Sequence, residues 1–271
     1  MPPTEVNVAA EASWLTNALS AVDTVAQLDR QATIKACPDL VSWLRADTCY
    51  QTSGPYQGWR DRVSGALLTQ ASGTMPAVTT ESALNSQSAL QYGSSGAVIT
   101  DNGANLFPTG NTNFSIVCVA APPSSGFAAF VSDGGTAGNG TILLPGSSNT
   151  PELYMGGANR LTGMSALSAG APWLGIVGFV YGAGTGTLKA RINGGAQTCA
   201  VTGLNVSVAN STLTIGGYNG GTPQNGMYVA EVMIFKNSIL DGSYATTGYA
   251  NWSGQTLYQV IESYMNARYG L

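Results

Sequence analysis

Any chemistry in this chain would have to run through carboxylates, lysines or tyrosines, because its 271 residues include no histidine. Ser–His–Asp and Cys–His nucleophile systems need an imidazole base and are excluded within the chain. Histidine zinc sites fall with them. The four cysteines, Cys37, Cys49, Cys118 and Cys199, show no CxxC or comparable metal spacing. Cys118 lies in the apolar run 114–121 and reads as a small buried hydrophobe. Cys37 and Cys49 are close enough in sequence to bridge, a bond that needs an oxidising compartment. Glu231 is the only acid in the apolar segment 228–235. A buried glutamate needs a partner, and Arg160 or Arg191 is expected to supply it. A structural role for Glu231 outweighs a catalytic one, and no catalytic residue is assigned.

Loop aromatics are the stronger signal. Tyr244, Tyr249 and Trp252 stand in a glycine-rich stretch, and Tyr50, Tyr56 and Trp59 in a second region marked by Gly and Pro. A sugar ring has an apolar face that stacks on Tyr or Trp, while amides and backbone groups bond its hydroxyls. Tyr244, Tyr249, Trp252, Tyr56 and Trp59 are therefore the candidate glycan-facing set. The competing reading is that they pack under their own loops. Trp43 and Trp173 sit in strand-like contexts and are expected in the core. The run Gly216-Gly217-Tyr218-Asn219-Gly220-Gly221 lacks the lysine and strand–loop–helix setting of a phosphate cradle, and reads as turns.

The elements that must position these residues follow from periodicity. Residues 1 to about 10 read as an extended arm. A helix is expected from Glu11 to about Lys35, with Trp14, Ala18, Val22 and Val25 three or four apart as one apolar stripe. Two readings stand for it: packing on its own domain, or attachment to a neighbour, with Trp14 and Val22 at the interface. From Pro38 short apolar runs alternate with Gly, Asn, Pro and Ser clusters, the pattern of an all-β sandwich. Strands are expected at 97–100, 114–121, 128–132, 140–144, 152–155, 174–181, 187–192, 211–216 and 228–235. The run 188–192 alternates cleanly and Asn193-Gly194-Gly195 after it reads as a hairpin turn. The segment 228–235 is apolar on both faces and should be a central strand. A closing helix carries Leu257, Val260, Ile261 and Tyr264, with Gly270 placed for a left-handed cap. The chain divides into an arm and helix (1–37) for attachment or oligomerisation and a sandwich (38–271).

Composition narrows the partners. Charged residues are 9% against about 25% in an average domain, and hydrophobic residues are 44%. The ten Lys and Arg are scattered and the net charge is −4, so nucleic acid is not an expected partner. No apolar run is long enough to span a membrane, and no membrane partner is expected.

Several segments together resemble the laminin-G-like and concanavalin-A-like jelly-roll modules. Leu40-Val41-Ser42-Trp43-Leu44-Arg45-Ala46-Asp47 resembles their L-x-x-W-L-x-A-D opening. Gly58-Trp59-Arg60-Asp61 with Ser64-Gly65 resembles the following W-x-D-x-S-G segment, with one residue extra before Ser64. Leu213-Thr214-Ile215-Gly216-Gly217 is similar to L-x-I-G-G, and Val229–Phe235 to I-A-E-V-I-I-Y. The end, Glu262–Leu271, is similar to E-x-Y-L-x-x-K-Y-G-L. The link 239–252 is longer and more aromatic than the short acidic link usual there. The resemblance covers about 38–271 and implies a concanavalin-A-like (laminin-G-like) jelly-roll β-sandwich, which completes an all-β fold with the N-terminal arm and helix and the C-terminal helix read from periodicity. It is poorly specific for function, since such sandwiches include lectins, adhesion modules, viral coat proteins and glycosidases.

Glycosidases on this fold commonly carry their two carboxylates on one strand as E-x-D-x-E or E-x-D-x-x-E, a motif not found here. Laminin-G domains often bind calcium, for which Asp101, Asn102, Asp133, Asn139 and Asp241 are the oxygen candidates, though turn formation explains them as well. The start at Met1-Pro2-Pro3-Thr4-Glu5 lacks a signal-peptide pattern. The expectation from these features is a non-enzymatic phage virion surface protein made in the host cytoplasm. It would decorate a capsid or tip a tail, as a homotrimer in contact with capsid or tail proteins and cell-surface glycans. The alternatives are a carbohydrate-binding lectin-like module and, third, a glycoside hydrolase or lyase.

Overall fold

The computed structural model describes residues 24–50, 58–72, 76–93, 98–123, 129–136, 140–146, 149–161, 163–168, 170–195, 201–204, 206–218, 226–241 and 254–271. Trp14, Val22, Tyr56, Asn139, Cys199, Tyr244, Tyr249 and Trp252 lie outside these residues.

The chain is all-β, with a short helix near each end. Helix α1 spans 24–35. The strands then run β1 Leu40–Arg45, β2 Cys49–Tyr50, β3 Gly58–Arg60, β4 Leu67–Ser72, β5 Ala77–Glu81, β6 Gln87–Gln91, β7 Val98–Thr100 and β8 Phe114–Ala121. They continue as β9 Val131–Ser132, β10 Thr141–Pro145, β11 Pro151–Met155, β12 Ala158–Asn159, β13 Trp173–Val180, β14 Gly186–Ile192, β15 Val201–Leu204, β16 Thr214–Ile215 and β17 Tyr228–Phe235, before helix α2, Leu257–Tyr269. No described helix is long and apolar enough to cross a membrane.

Two antiparallel sheets face each other. One has eight strands in the order β15-β14-β13-β8-β17-β6-β5, with β1 also on β17; the other has nine, β12-β11-β10-β9-β16-β7-β4-β3-β2. Strand β17 shares one edge between two partners: Tyr228 and Val229 pair with β6, and Glu231–Phe235 with β1. Its other edge pairs with β8. It is the central strand that its two-sided apolar pattern predicts.

Alternation sorts the side chains into two cores. Inward residues of both sheets, among them Ile116, Cys118, Val177, Leu188, Leu143, Leu153 and Ile215, fill the space between the sheets with Trp59 and Trp173. Outward residues of the eight-stranded sheet, including Trp43, Val117, Val119, Ile176 and Met233, meet Ile34 of α1 and the apolar face of α2. The centre of the eight-stranded sheet is thus buried on both faces, which is why β8 and β17 read as continuous apolar runs.

Local chemistry sets the ends of these elements. Gln259 Oε1 accepts from Thr256 N at 2.8 Å at the start of α2, and Gly270 at φ 68° closes it. Asn193 at φ 50° and Gly194 at φ 72° form the tight turn after β14. The expected 211–216 strand shortens to Thr214–Ile215, because the Leu213 amide is captured by Asp101 Oδ2 at 3.0 Å. Cys118 is buried as expected. Cys37 keeps a free thiol, so no bridge joins it to Cys49.

Candidate functional site

The acids singled out by sequence organise the fold. Glu231 is fully buried, on the α2 side of the eight-stranded sheet. A bulge between Val229 and Glu231 shifts the β17–β8 register, so Ala230 and Glu231 both face the helices while Val229 enters the inter-sheet core. Trp43 Nε1 donates to Glu231 Oε1. The Tyr264 hydroxyl donates to the same oxygen at 3.1 Å, and the Tyr269 hydroxyl to Oε2 at 2.6 Å. Arg268 Nε lies 3.7 Å from Oε2. Burial pushes the Glu231 carboxyl up, against the opposing pull of Tyr269, Arg45, Trp43 and Arg268. The expected partners Arg160 and Arg191 are elsewhere: Arg160 Nε bonds the Met155 carbonyl at 3.0 Å, and Arg191 pairs with Glu262 at 2.7 Å. The guanidiniums that act on Glu231 are those of Arg268 at the α2 terminus and of Arg45, its cross-strand partner on β1.

Asp61 plays the same part for β1 and the β3–β4 turn. It accepts from Trp43 N at 2.6 Å, Ser42 Oγ at 3.0 Å and Ser64 N at 2.7 Å. The W-x-D-x-S-G resemblance is therefore a structural clasp. The calcium candidates act in turns. Asp101 accepts from Leu106 N at 2.8 Å and Gly103 N at 3.2 Å, and Asp133 Oδ1 from Gly135 N at 2.9 Å. Asn102 adopts φ 50° and Asp241 pairs with Lys189. Among the described residues no three His, Cys, Asp or Glu come together as a metal group.

Of the candidate glycan-facing aromatics, Trp59 falls within the described residues, and it points inward. It is fully buried in the inter-sheet core, and its Nε1 donates to the Arg45 carbonyl at 2.6 Å. Its neighbours Gly58 and Arg60 pair with β2 and β4, so alternation directs the indole into the core. Trp43 and Trp173 are buried, as their strand contexts predict.

The described helices both pack on the eight-stranded sheet. The outward face of the nine-stranded sheet carries a separate small cluster. Ile142 on β10 and Ala129 form its buried floor, and Tyr154 and Tyr218 pack on them half-buried. Ile142 stands directly opposite Tyr154 across the β10–β11 pair. Glu152, two residues before Tyr154, shares this outward face and is also half-buried; burial raises its carboxyl. Two tyrosines and a carboxylate thus share this outward face. Sequence reasoning passed over Tyr154. Its signal was the alternation of Leu153 and Met155, both core residues, which leaves the aromatic between them on the outer face. Tyr218 was hidden in a glycine-rich run that reads as turns.

No protein-family model and no curated protein sequence matches the chain. Similarity appears among solved structures. Domain 4 of AbnA, a GH43 extracellular arabinanase from Geobacillus stearothermophilus in complex with arabinotriose, superposes with a TM-score of 0.55 at 14% identity, over 85% of this chain and 98% of that one. Trypanosoma rangeli sialidase in complex with a difluoro sugar acid gives a TM-score of 0.50 at 12% identity, over 92% of this chain and 39% of that one. A GH54 α-L-arabinofuranosidase gives 0.48 at 13% identity over 79% of this chain. This chain spans about a third to a half of the sialidase and arabinofuranosidase chains. At these identities the shared feature is the sandwich fold. The expectation of a chain outside enzymology is corrected by these neighbours. Each is a carbohydrate-processing enzyme or a domain of one, so the sandwich is a fold that such enzymes carry.

Proposed function

We propose that this chain is a carbohydrate-binding domain of the jelly-roll, concanavalin-like kind, and that it takes a glycan on the outward face of the nine-stranded sheet. The observation that carries this reading is the half-buried pair Tyr154 and Tyr218 about Ile142, on the sheet face away from the described helices. Stacking on such rings and hydrogen bonding to Glu152 are the two interactions a pyranose or furanose offers. The match to nearly the whole length of an arabinanase domain with arabinotriose bound supports a sugar as the ligand class.

Calorimetric titration with arabinotriose and a panel of neutral and acidic oligosaccharides tests the proposal. Saturable binding to at least one of them is expected, weakened about tenfold in Tyr154→Ala or Tyr218→Ala, the loss of roughly one stacking contact. An absence of binding across the panel, or binding untouched by both substitutions, would overturn it. Product chromatography on the same mixtures reads whether the bound glycan is also cleaved.

A place on a virion, decorating a capsid or tipping a tail, is a separate proposal. It rests on composition and motif resemblance, and gold-antibody labelling of particles from the native source tests it.

A further inference from the structure

Three of the chain's ten Lys and Arg converge on one corner of the sandwich, on the helix side of the eight-stranded sheet. Arg45 comes from β1, Arg62 from the turn between β3 and β4, and Arg268 from the end of α2. The acids of this corner are already engaged. Asp47 pairs with both Arg45 and Arg268, the second at 3.0 Å. Glu231 accepts from Trp43, Tyr264 and Tyr269, with Arg268 Nε at 3.7 Å. Asp61, next to Arg62 in sequence, accepts from the Trp43 and Ser64 amides and the Ser42 hydroxyl.

Arg62 is left over. Its backbone N–H donates to the Trp43 carbonyl at 2.9 Å, and its guanidinium stands 4.5 Å over the Trp43 ring. The ring attracts the cation but offers no lone pair to its N–H groups. Nη1 is buried without a hydrogen-bond partner, and none of the ion pairs among the described residues includes Arg62. Burial and the neighbouring Arg45 hold this guanidinium below the ordinary arginine range, against the pull of Tyr264, Glu231 and Asp47. A guanidinium drawn out of water ordinarily meets a carboxylate, as Arg191 meets Glu262 at 2.7 Å. Arg62 is half-buried, and Val63, Ser64 and Gly65 after it are exposed, so this corner opens on solvent.

We propose that Arg62 holds an oxyanion, with Arg45 and Arg268 lending positive charge behind it. The ligand class is a carboxylate, phosphate or sulfate group, since two oxygens of such a group accept parallel N–H bonds from one guanidinium. The site is separate from the glycan face. It lies with Trp43 on the helix side of the eight-stranded sheet, whereas Tyr154 and Tyr218 lie on the outer side of the nine-stranded one.

Calorimetric titration of the full chain with sodium phosphate, sodium sulfate and sodium glucuronate, at an ionic strength held constant with sodium chloride, tests this. At least one should bind saturably, about tenfold more weakly to Arg62→Gln and equally well to Tyr154→Ala. Arg62→Lys keeps a cation on the indole but not the planar fork, and its affinity should fall between wild type and Arg62→Gln. It carries the comparison should the near-ultraviolet circular dichroism of Arg62→Gln depart from wild type. Binding of phosphate or sulfate alone marks a site for tetrahedral oxyanions, and binding of glucuronate marks one that takes the carboxylate of an acidic sugar. The proposal is overturned if none of the three binds saturably, or if Arg62→Gln and Arg62→Lys both bind as wild type does. It is overturned as well if binding is lost in Tyr154→Ala and kept in the Arg62 variants, which would put the anion on the glycan face.

Discussion

Trp43 and Glu231 are diagonal neighbours across the β1–β17 pair, and the indole N–H of the first donates to the carboxylate of the second. The ring of Trp43 also meets Tyr264 edge-on at 5.9 Å and carries the Arg62 guanidinium over its face at 4.5 Å. One tryptophan thus joins the first strand, the central strand and the last helix.

Removing the acceptor should be costly. Glu231→Leu leaves the indole N–H and two tyrosine hydroxyls buried without a partner and should destabilise the chain by about 3–5 kcal/mol in urea unfolding. Glu231→Gln keeps acceptor capacity and exposes the pH dependence. The folded chain holds the Glu231 proton more tightly than the unfolded chain, whose glutamate titrates near the ordinary 4.5. The resulting stability is complete below that value and is lost as pH rises through the raised folded value. The stability of wild type relative to Glu231→Gln should therefore fall across that window and level off above it.

Asp61→Ala should cost about 3 kcal/mol, since it strips acceptors from the Trp43 and Ser64 amides and the Ser42 hydroxyl at once. Asp61→Asn should recover part of the loss, because its carbonyl still accepts. Thermal unfolding of the two variants measures both.

The tryptophan and tyrosine substitutions should separate cleanly. Trp59→Ala empties a fully buried site and should cost about 3–5 kcal/mol of stability. Tyr154→Ala and Tyr218→Ala remove half-buried rings at the surface and should cost about 1 kcal/mol, with their main effect on glycan affinity. A combined unfolding and titration series on the three variants decides this.

Gly216 adopts φ 83°, and a Cβ there would stand 2.2 Å from the Tyr92 ring. Gly216→Ala should lower stability by about 2 kcal/mol or more, from backbone strain and the clash together. Tyr92→Phe should not rescue it, because the nearest contact is a ring carbon rather than the hydroxyl. The measurement is the denaturant midpoint of the single and double variants.

Much of the fold was legible because its signals are local. The strands 114–121 and 228–235, the turn at Asn193–Gly194 and the cap at Gly270 follow from residue type and period alone. The shorter strands β2, β3, β5 and β12 were not, since two to five residues carry too little pattern to stand out from loops. The partner of Glu231 was missed for a different reason. Arg268 is near it only because α2 folds back over the sheet, a contact that no spacing announces. Trp59 was read as a loop aromatic because Gly and Pro surround it, yet three paired residues suffice to turn it inward. Tyr154 sits in a strand rather than a loop, and the alternation of the core residues Leu153 and Met155 around it places it on the outer face.

The order of the strands along the chain has a consequence for synthesis. Strand β17 is the last of the described strands in chain order, yet it is the one against which β1, β6 and β8 all pair. Until residue 235 emerges, those three earlier strands wait with open edges, and α2 has no completed surface to cover. Folding of the eight-stranded sheet is therefore deferred until β17 has been made, and a nascent chain stalled before Tyr228 should be a substrate for chaperones or for aggregation rather than a partly finished sandwich.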